Sequence, residues 1–171
     1  MEKTFQVLNA LERDGVLTRY AIGGAVGATF YTEPFLTFDL DIFVMLPTLG
    51  SLLTVGPLYE ALKARGYSEE GEGVNIEGVQ VQFLPTYNPL LVEALAEARE
   101  TSYGAVPTRV FRAEHLAAIG VQTGRSKDRQ RVDQLLETPS MDKEYLLAVL
   151  KRHDLMAKWM QWTSYRLKSR E

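Results

Sequence analysis

The chain has 171 residues and a net charge of −3, and its 46% hydrophobic and 24% charged residues exclude a long disordered or fibrous protein. It contains no cysteine, which excludes disulfides, thiolate metal sites and cysteine nucleophiles. Its longest aliphatic or aromatic run, residues 42–46, is far too short to cross a bilayer, and its first residues lack the apolar core of a signal peptide. We therefore expect a soluble, cytoplasmic protein of one domain that does not contact a membrane.

The first two thirds of the chain alternate between helical and strand patterns. The strongest strand pattern starts at Phe38, where apolar and acidic residues alternate, and Pro47 ends it. Glu77-Gly78 lies between two apolar segments and is typical of a hairpin turn. In chain order the patterns predict a helix ending near Asp14, a strand at 19–22, a small-residue helix at 25–31, a strand at 38–46, a helix at 58–65, hairpin strands at 74–76 and 79–84, and a helix at about 89–99.

Helical patterns dominate after Pro107. Strands that alternate with helices, followed by a run of helices, predict an α/β (α+β) fold. We expect an α/β core at residues 1–112 and a helical C-terminal region at residues 113–171 packed on it. After Pro107 the patterns predict a strand at 109–111, which belongs to the core, and then helices near 113–123, 126–137, 141–152 and 154–168, with Ser140 and Asp154 as caps.

Asp39 and Asp41 are separated by one residue on the strongest predicted strand, so their carboxylates project from the same face. Two like charges side by side are unfavourable unless a cation compensates them. Carboxylate oxygens favour Mg²⁺ or Mn²⁺ as that cation. The alternative is the polar face of an ordinary half-exposed strand.

Gly23 and Gly24 follow a short predicted strand and precede a small-residue helix. Glycines at such a junction can adopt a positive φ and allow a phosphate to approach the backbone N–H groups. Alternatively, the turn needs glycine only to pack the following helix against the sheet.

The order of these features resembles the nucleotidyltransferase superfamily, whose fold is shared with DNA polymerase β. The matching residues are Ile22-Gly23-Gly24 and the segment Thr37-Phe38-Asp39-Leu40-Asp41-Ile42-Phe43-Val44. Thr37 ahead of the acidic strand, and the later Arg125-Ser126-Lys127-Asp128, are similar to the minimal and AbiEii-type toxin–antitoxin or abortive-infection branches. The resemblance covers roughly residues 15–137 and implies a small mixed sheet with flanking helices.

The resemblance also implies a function for each matching residue. Asp39 and Asp41 would be catalytic and would hold Mg²⁺ or Mn²⁺. The nucleoside triphosphate substrate would be bound by Gly23, Gly24, Thr37, Arg125 and Lys127, and Asp128 would be a further catalytic residue. The nucleotide would be transferred to RNA, typically tRNA, or to a protein, and a cognate toxin or antitoxin protein would be a partner.

Asp128 is singled out independently by its position on the predicted helix. It shares a helical face with Val132 and Leu135, and a carboxylate on an apolar stripe must be paired or lie at the end of that stripe. The alternative is an acidic residue at a helix start that accepts hydrogen bonds from backbone N–H groups.

Two departures from the family pattern favour an alternative function. Active members carry a third carboxylate on a neighbouring strand, where this chain has Gln82, and an amide is a poor base. Glu77 could supply the third carboxylate only if the hairpin brings its side chain towards Asp39 and Asp41. Residues 113–124 also lack the lysine found in related toxins. The alternative is a catalytically degenerate protein that binds a nucleotide, RNA or a partner.

The C-terminal region offers two further partner surfaces. Residues 109–171 have a net charge of +5 against −8 for residues 1–108, so the basic helices either contact a phosphate-bearing partner or form solvated faces. Leu155, Trp159 and Trp162 share one helical face that favours a core or a homodimer contact through the C-terminal helices. His115 and His153 show no spacing typical of a metal site or a triad.

Overall fold

The computed structural model describes residues 1–34, 36–37, 39–47 and 54–168, with side chains up to residue 164. Phe38, the first residue of the strongest predicted strand, lies outside the described residues. None of the helices in the described part of the chain is both long and apolar enough to span a membrane.

In the part of the chain that the structure describes, seven strands form one sheet, and helices cover both of its faces. The strands are β1 (Arg19–Ile22), β2 (Asp39–Met45), β3 (Glu69–Glu70), β4 (Gly73–Ile76), β5 (Val79–Pro85), β6 (Arg99–Tyr103) and β7 (Val106–Val110). The helices are α1 (Glu2–Arg13), α2 (Gly24–Ala28), α3 (Gly56–Ala64), α4 (Pro89–Ala96), α5 (Ala113–Thr123), α6 (Ser126–Leu136), α7 (Lys143–Arg152) and α8 (Met156–Lys168). The expected α/β (α+β) fold is confirmed.

The sheet is mixed, as predicted, with the strand order β3-β4-β5-β2-β1-β7-β6. β2 lies near its centre, antiparallel to β1 and parallel to β5. Glu77 and Gly78 form the two-residue turn between β4 and β5, and both have a positive φ, which suits the right-handed twist of a hairpin. The central position of β2 fixes the two aspartates relative to strands on both sides.

Alternation along β2 separates the two faces of the sheet. Leu40, Ile42 and Val44 pack against α1 and α3, whose buried side chains include Phe5 and Leu58. Residues 39, 41 and 43 point to the opposite face, where Phe43 joins a second cluster formed mainly by α4 to α8. The polar end of that second face is open and carries the aspartates.

The C-terminal helices pack on the sheet through this second cluster. Leu155 and Trp162 are buried there, and Trp159 packs against it, so most of the predicted aromatic face is covered within the chain. The guanidinium carbon Cζ of Arg129 lies 5.5 Å from the centroid of the Trp162 ring. The homodimer stays a prediction, since the core interpretation already accounts for these side chains.

The sequence patterns missed the edge strand β6, and they placed its partner β7 at 109–111 rather than at Val106–Val110. The helix expected at about 89–99 ends at Ala96, and Arg99–Tyr103 forms an edge strand that pairs with β7. Side chains of this edge strand are mostly exposed, so it lacks the apolar alternation that identifies a strand. The turn at Gly104, where φ is positive, closes the hairpin.

The predicted helix caps in the C-terminal region are also wrong. Asp142 rather than Ser140 caps α7, because its carboxylate accepts a hydrogen bond from Tyr145 N at 2.9 Å. Asp154 has a φ of 56° in the short connection before α8, which starts at Met156. Local residue type identified acceptable capping residues, but the turn geometry selected among them.

Both histidines of the chain converge on one carboxylate, although their spacing indicates no shared site. Glu93 of α4 accepts hydrogen bonds from His115 Nε2 at 3.0 Å and from His153 Nε2 at 2.7 Å. Arg152 binds the same carboxylate through two nitrogens, at 2.7 and 2.9 Å. These contacts tie together α4, α5 and the end of α7, and they hold the pKa of Glu93 well below its ordinary value, with Arg152 the main cause.

We predict that this cluster makes the protein sensitive to acid. A carboxyl with a lowered pKa stabilises the fold above its ordinary pKa of 4.5, and this stabilisation is lost as the pH falls further. Burial lowers the pKa of His115, so the unfolded chain gains a proton below about 6.5 and stability declines there too. Glu93→Gln should cost about 2 kcal/mol at neutral pH and flatten the acid limb of urea unfolding.

Glu97→Gln is the matched control, because Glu97 is exposed on the same helix end and forms no ion pair to a described residue. It should change the free energy of unfolding by less than about 0.5 kcal/mol at any pH. Equal effects of the two substitutions would contradict a specific role for Glu93.

Candidate functional site

A cleft of about 300 Å³ lies between the second face of the sheet and helices α5 and α6. It brings together residues that are far apart in the sequence. Seven of the eight predicted site residues line it, namely Gly24, Thr37, Asp39, Asp41, Arg125, Lys127 and Asp128. Gly23 is outside the lining and lies beneath it, where its N–H donates to Asp41 O at 3.0 Å.

The carboxylate pair is positioned by the pairing of β2 with β5. Asp39 is opposite Gln80 and Asp41 is opposite Gln82 in the parallel register. Asp39 is exposed, whereas Asp41 is half-buried at the floor of the cleft. Gln82 lines the cleft beside Asp41, in the position where the resemblance implies a third carboxylate. The site therefore has two acidic groups and one amide on its floor.

Gly24 allows the Asp41 side chain to lie against the start of α2. Its φ is +57°, and a Cβ built there would lie 1.8 Å from Asp41 Oδ2. At Gly23 a Cβ would lie 2.4 Å from the ring of Phe43. Both glycines are thus required by packing, and Gly24 also by its backbone conformation. At Gly24 the need for glycine in packing does not exclude the other interpretation, in which a phosphate approaches the backbone of this turn.

The pKa of Asp41 is raised, although charges of both signs surround its carboxyl. Burial raises the pKa of its carboxyl, and the neighbouring Asp39 acts in the same direction. Arg131 of α6 is the largest opposing influence, followed by Lys127 and Arg125. The carboxylate pair on the sheet therefore faces three basic side chains on or next to α6.

Arg131 is the site residue that sequence reasoning missed. Its side chain is 17% exposed and lines the cleft, and burial lowers its pKa against the stabilising charges of Asp128 and Asp41. In the sequence it is one of four basic residues around Asp128, and only the tertiary packing of α6 shows that it faces Asp41. The helical spacing of 128 and 131 was the available signal.

Asp128 is buried, with 2% of its surface exposed, and three side chains bind it. Its carboxylate accepts hydrogen bonds from Thr123 Oγ1 at 2.6 Å and Arg125 Nε at 2.8 Å, with Arg131 at 3.4 Å. Burial alone would raise the pKa of Asp128, but the bonds from Arg125 and Thr123 hold it below its ordinary value. Side chains rather than helix N–H groups compensate this carboxylate.

Glu77 does not reach the cleft. Its carboxylate is exposed at the hairpin turn and accepts a hydrogen bond from the Tyr67 hydroxyl at 2.7 Å. Two other acidic residues, Glu70 and Glu72, line a cavity of about 220 Å³ that shares Asp39 and Gln82 with the floor of the site. The side of the cleft away from α6 is therefore acidic.

The carboxylates of Asp39 and Asp41 suit a hard divalent cation that takes its remaining ligands from water and from a bound phosphate compound. Asp39 and Asp41 offer only carboxylate oxygens, the ligand type that Mg²⁺ and Mn²⁺ prefer. Among the described residues, no three His, Cys, Asp or Glu side chains come together in a way that could hold a metal ion. A cation held by this pair would complete its shell with water and phosphate oxygens, as Mg²⁺ commonly does.

The far end of the cleft is apolar. Leu84 continues the floor beyond Gln82, and Leu91 and Ile119 form walls. Tyr87 lies at the mouth with 77% of its surface exposed. A ligand with a charged end and a flat apolar end would match this gradient from carboxylates to aliphatic side chains.

No protein-family model and no curated protein sequence matches this chain. Solved structures do. The antibiotic-resistance factor ANT(2'')-Ia in solution has a TM-score of 0.55 at 14% identity, over 96% of this chain and 97% of that chain. ANT(2'')-Ia in complex with adenylyl-2''-tobramycin has a TM-score of 0.53 at 15% identity, over 91% and 98%.

A third structure is an antigenic nucleotidyltransferase-like protein from Paracoccidioides brasiliensis, with a TM-score of 0.56 at 13% identity over 92% of each chain. The similarity of all three covers nearly the whole of this chain. The fold is therefore of the nucleotidyltransferase type.

We predict that Gly24→Ala is much more destabilising than an ordinary glycine substitution. It adds the strain of a positive φ and displaces the Asp41 carboxylate, for a loss of about 2–4 kcal/mol in the free energy of unfolding. Gly15→Ala is the matched control, since its φ is +73° and nothing lies within 4 Å of its Cβ position. Chemical denaturation of both variants tests this. Similar losses in the free energy of unfolding would show that the Asp41 side chain moves aside without destabilising the fold.

Proposed function

We propose that this protein binds a nucleoside triphosphate with Mg²⁺ in the cleft and transfers its nucleotidyl group to an acceptor hydroxyl. The observation that carries the proposal is that Asp39 and Asp41 share one cleft with basic side chains on or next to α6. The fold supports it, since solved nucleotidyltransferases share that fold at low sequence identity.

Each part of the cleft has a chemical task in this proposal. Asp39 and Asp41 would hold Mg²⁺ or Mn²⁺, which when bound neutralises charge on the phosphates. The backbone at Gly24, together with Thr37, would contact the triphosphate on the sheet side, whereas the N–H of Gly23 is already bound to Asp41 O outside the lining. Arg125 and Lys127 would bind its terminal phosphates from α6, because guanidinium and ammonium groups form charge-assisted hydrogen bonds to phosphate oxygens.

The transfer is an in-line substitution at the α-phosphorus. The acceptor oxygen forms a bond to phosphorus, the bond from phosphorus to the bridging oxygen of the β-phosphate breaks, and pyrophosphate leaves with that electron pair. The hydroxyl proton goes to solvent water, since Gln82 supplies no base beside Asp41.

Two acceptor classes follow from different observations. The acidic cavity beside Asp39 favours a small acceptor that carries amines, and the neighbour ANT(2'')-Ia is solved with adenylyl-2''-tobramycin. The Arg125–Asp128 motif and the basic C-terminal region instead favour RNA such as tRNA, or a protein within a toxin–antitoxin pair. We put the amine-bearing acceptor first, because an RNA phosphate next to Glu70 and Glu72 would be repelled.

A second candidate function is nucleotide binding without transfer. The specific observation in its favour is Gln82, an amide at the position opposite Asp41. Such a protein would bind nucleotide with Mg²⁺ through the same residues and release it unchanged.

We predict that Asp39→Asn and Asp41→Asn each lower nucleotidyl transfer by on the order of 100-fold or more, since each removes a charge that holds the cation. Calorimetric titration of ATP, CTP, GTP and UTP with Mg²⁺ identifies the nucleotide. Transfer of an α-labelled nucleotide to tobramycin and to tRNA then separates the acceptor classes. Asp142→Asn, which removes one carboxylate outside the cleft and keeps a capping side chain, is the control.

Metal-dependent nucleotide binding without transfer to any acceptor would favour the second candidate function. Binding that is equal in wild type and in the Asp39→Asn/Asp41→Asn double variant would contradict both candidates.

We further predict that Gln82→Asp strengthens Mn²⁺ binding in the absence of nucleotide by on the order of tenfold, because it places a third carboxylate beside Asp41. Electron paramagnetic resonance measures free Mn²⁺ directly. Gln134→Asp adds the same charge at an exposed position of α6 outside the cleft and should leave the affinity unchanged. An unchanged affinity in Gln82→Asp would show that residue 82 does not face the metal position.

A further inference from the structure

We infer that Asp128 is a positioning residue that holds Arg125 and Arg131 in the cleft in the orientation that binds the polyphosphate of the substrate. This inference rests on the proposed function and gives Asp128 a different task from the catalytic one that its motif implies. It makes the region around α6 an organised polyphosphate subsite.

Three side chains of the protein already bind the carboxylate of Asp128. Oδ2 accepts hydrogen bonds from both Thr123 and Arg125, and Oδ1 is within 3.4 Å of Arg131 Nη1. Only 2% of Asp128 is exposed. Hydrogen bonds within the protein therefore take up most of the lone pairs that a proton acceptor or a metal ligand would need.

The same contacts organise the two arginines. Arg125 is 60% exposed and is bound through Nε, and its terminal nitrogens donate to no described residue. A guanidinium fixed at Nε presents a planar pair of N–H groups, the geometry that matches a phosphate. Arg131 Nη1 lies 3.4 Å from Asp128 Oδ1 and lines the same cleft as Asp41, so the carboxylate of Asp128 also helps to hold Arg131 near the carboxylate pair.

Charge and position predict opposite effects of removing Asp128. A carboxylate near a polyphosphate repels it, so loss of the charge alone should tighten binding. If Asp128 positions the arginines, its loss should weaken binding even though the cleft becomes one charge more positive. The sign of the change therefore separates the two roles.

The experiment titrates inorganic tripolyphosphate with Mg²⁺ into the wild type and into Asp128→Asn. Tripolyphosphate needs neither a base pocket nor an acceptor, so it tests the subsite independently of transfer. We expect Asp128→Asn to weaken binding on the order of tenfold, as is typical when a residue that orients a ligand-binding group is lost. Asp142→Asn removes the same charge outside the cleft and controls for net charge.

A double-mutant cycle shows through which side chain Asp128 acts. In an Arg125→Gln background, Asp128→Asn should weaken binding by much less than tenfold, because the side chain it positions is gone. Lys127→Gln is the matched background: Lys127 lines the same cleft without a hydrogen bond to Asp128, so the tenfold effect should persist there. Equal effects in both backgrounds would overturn the inference.

A measurement on the free protein keeps the inference testable if Asp128→Asn does not fold. In the wild type the Arg125 Nε–H should give a slowly exchanging NMR signal, and Thr123→Val, which keeps the charge of Asp128, should preserve it. A rapidly exchanging signal in the wild type, or unchanged or tighter tripolyphosphate binding by folded Asp128→Asn, overturns the inference.

The outcomes also separate this inference from the proposed function. Tripolyphosphate binding that depends on Asp128, in a protein that transfers no nucleotide, supports the inference and contradicts transfer. Nucleotide transfer with a fully active Asp128→Asn does the reverse. A wild type that binds no tripolyphosphate overturns the inference.

Discussion

The close approach of Asp41 to Gly24 is the constraint on which the rest of the site depends. A side chain at residue 24 and the carboxylate at residue 41 cannot occupy the same space, and the backbone of Gly24 has a positive φ. The N–H of Gly23 donates to the carbonyl of Asp41, so the turn and the central strand are fixed to each other. Because β2 also pairs with β5, this contact sets the position of Asp41 relative to Gln82 as well.

The cleft is built from two elements of opposite charge. β2 contributes the carboxylates of Asp39 and Asp41, while α6 and the residue before it contribute the basic groups, with Asp128 bound among them. An unpaired buried charge is very costly, so the acids on the sheet and the bases on the helix stabilise each other before any ligand binds. The arrangement leaves the exposed Asp39 and Arg125 at the edges of the cleft, where a polyanion and its cation can reach them.

The sequence predicted most of the elements that form the site, because each has a local signal. The alternation of Asp39 and Asp41 with apolar neighbours, the turn at Gly23-Gly24 and the helix that carries Asp128 are all recognisable from spacing. The strand Arg99–Tyr103 was not recognisable, because an exposed edge strand carries no apolar period. The convergence of His115 and His153 on Glu93 was equally hidden, since those residues are distant in the chain.

The sequence by itself therefore determined the fold class, the strand that carries the carboxylate pair, and the absence of a third acid at Gln82. Tertiary structure alone decided that Arg131 faces Asp41, that Glu77 stays outside the cleft, and that the carboxylate of Asp128 is occupied by its neighbours. The physical reason is that periodicity and turn chemistry act over a few residues. Charge compensation instead depends on which elements the packed core brings within a few ångströms of one another.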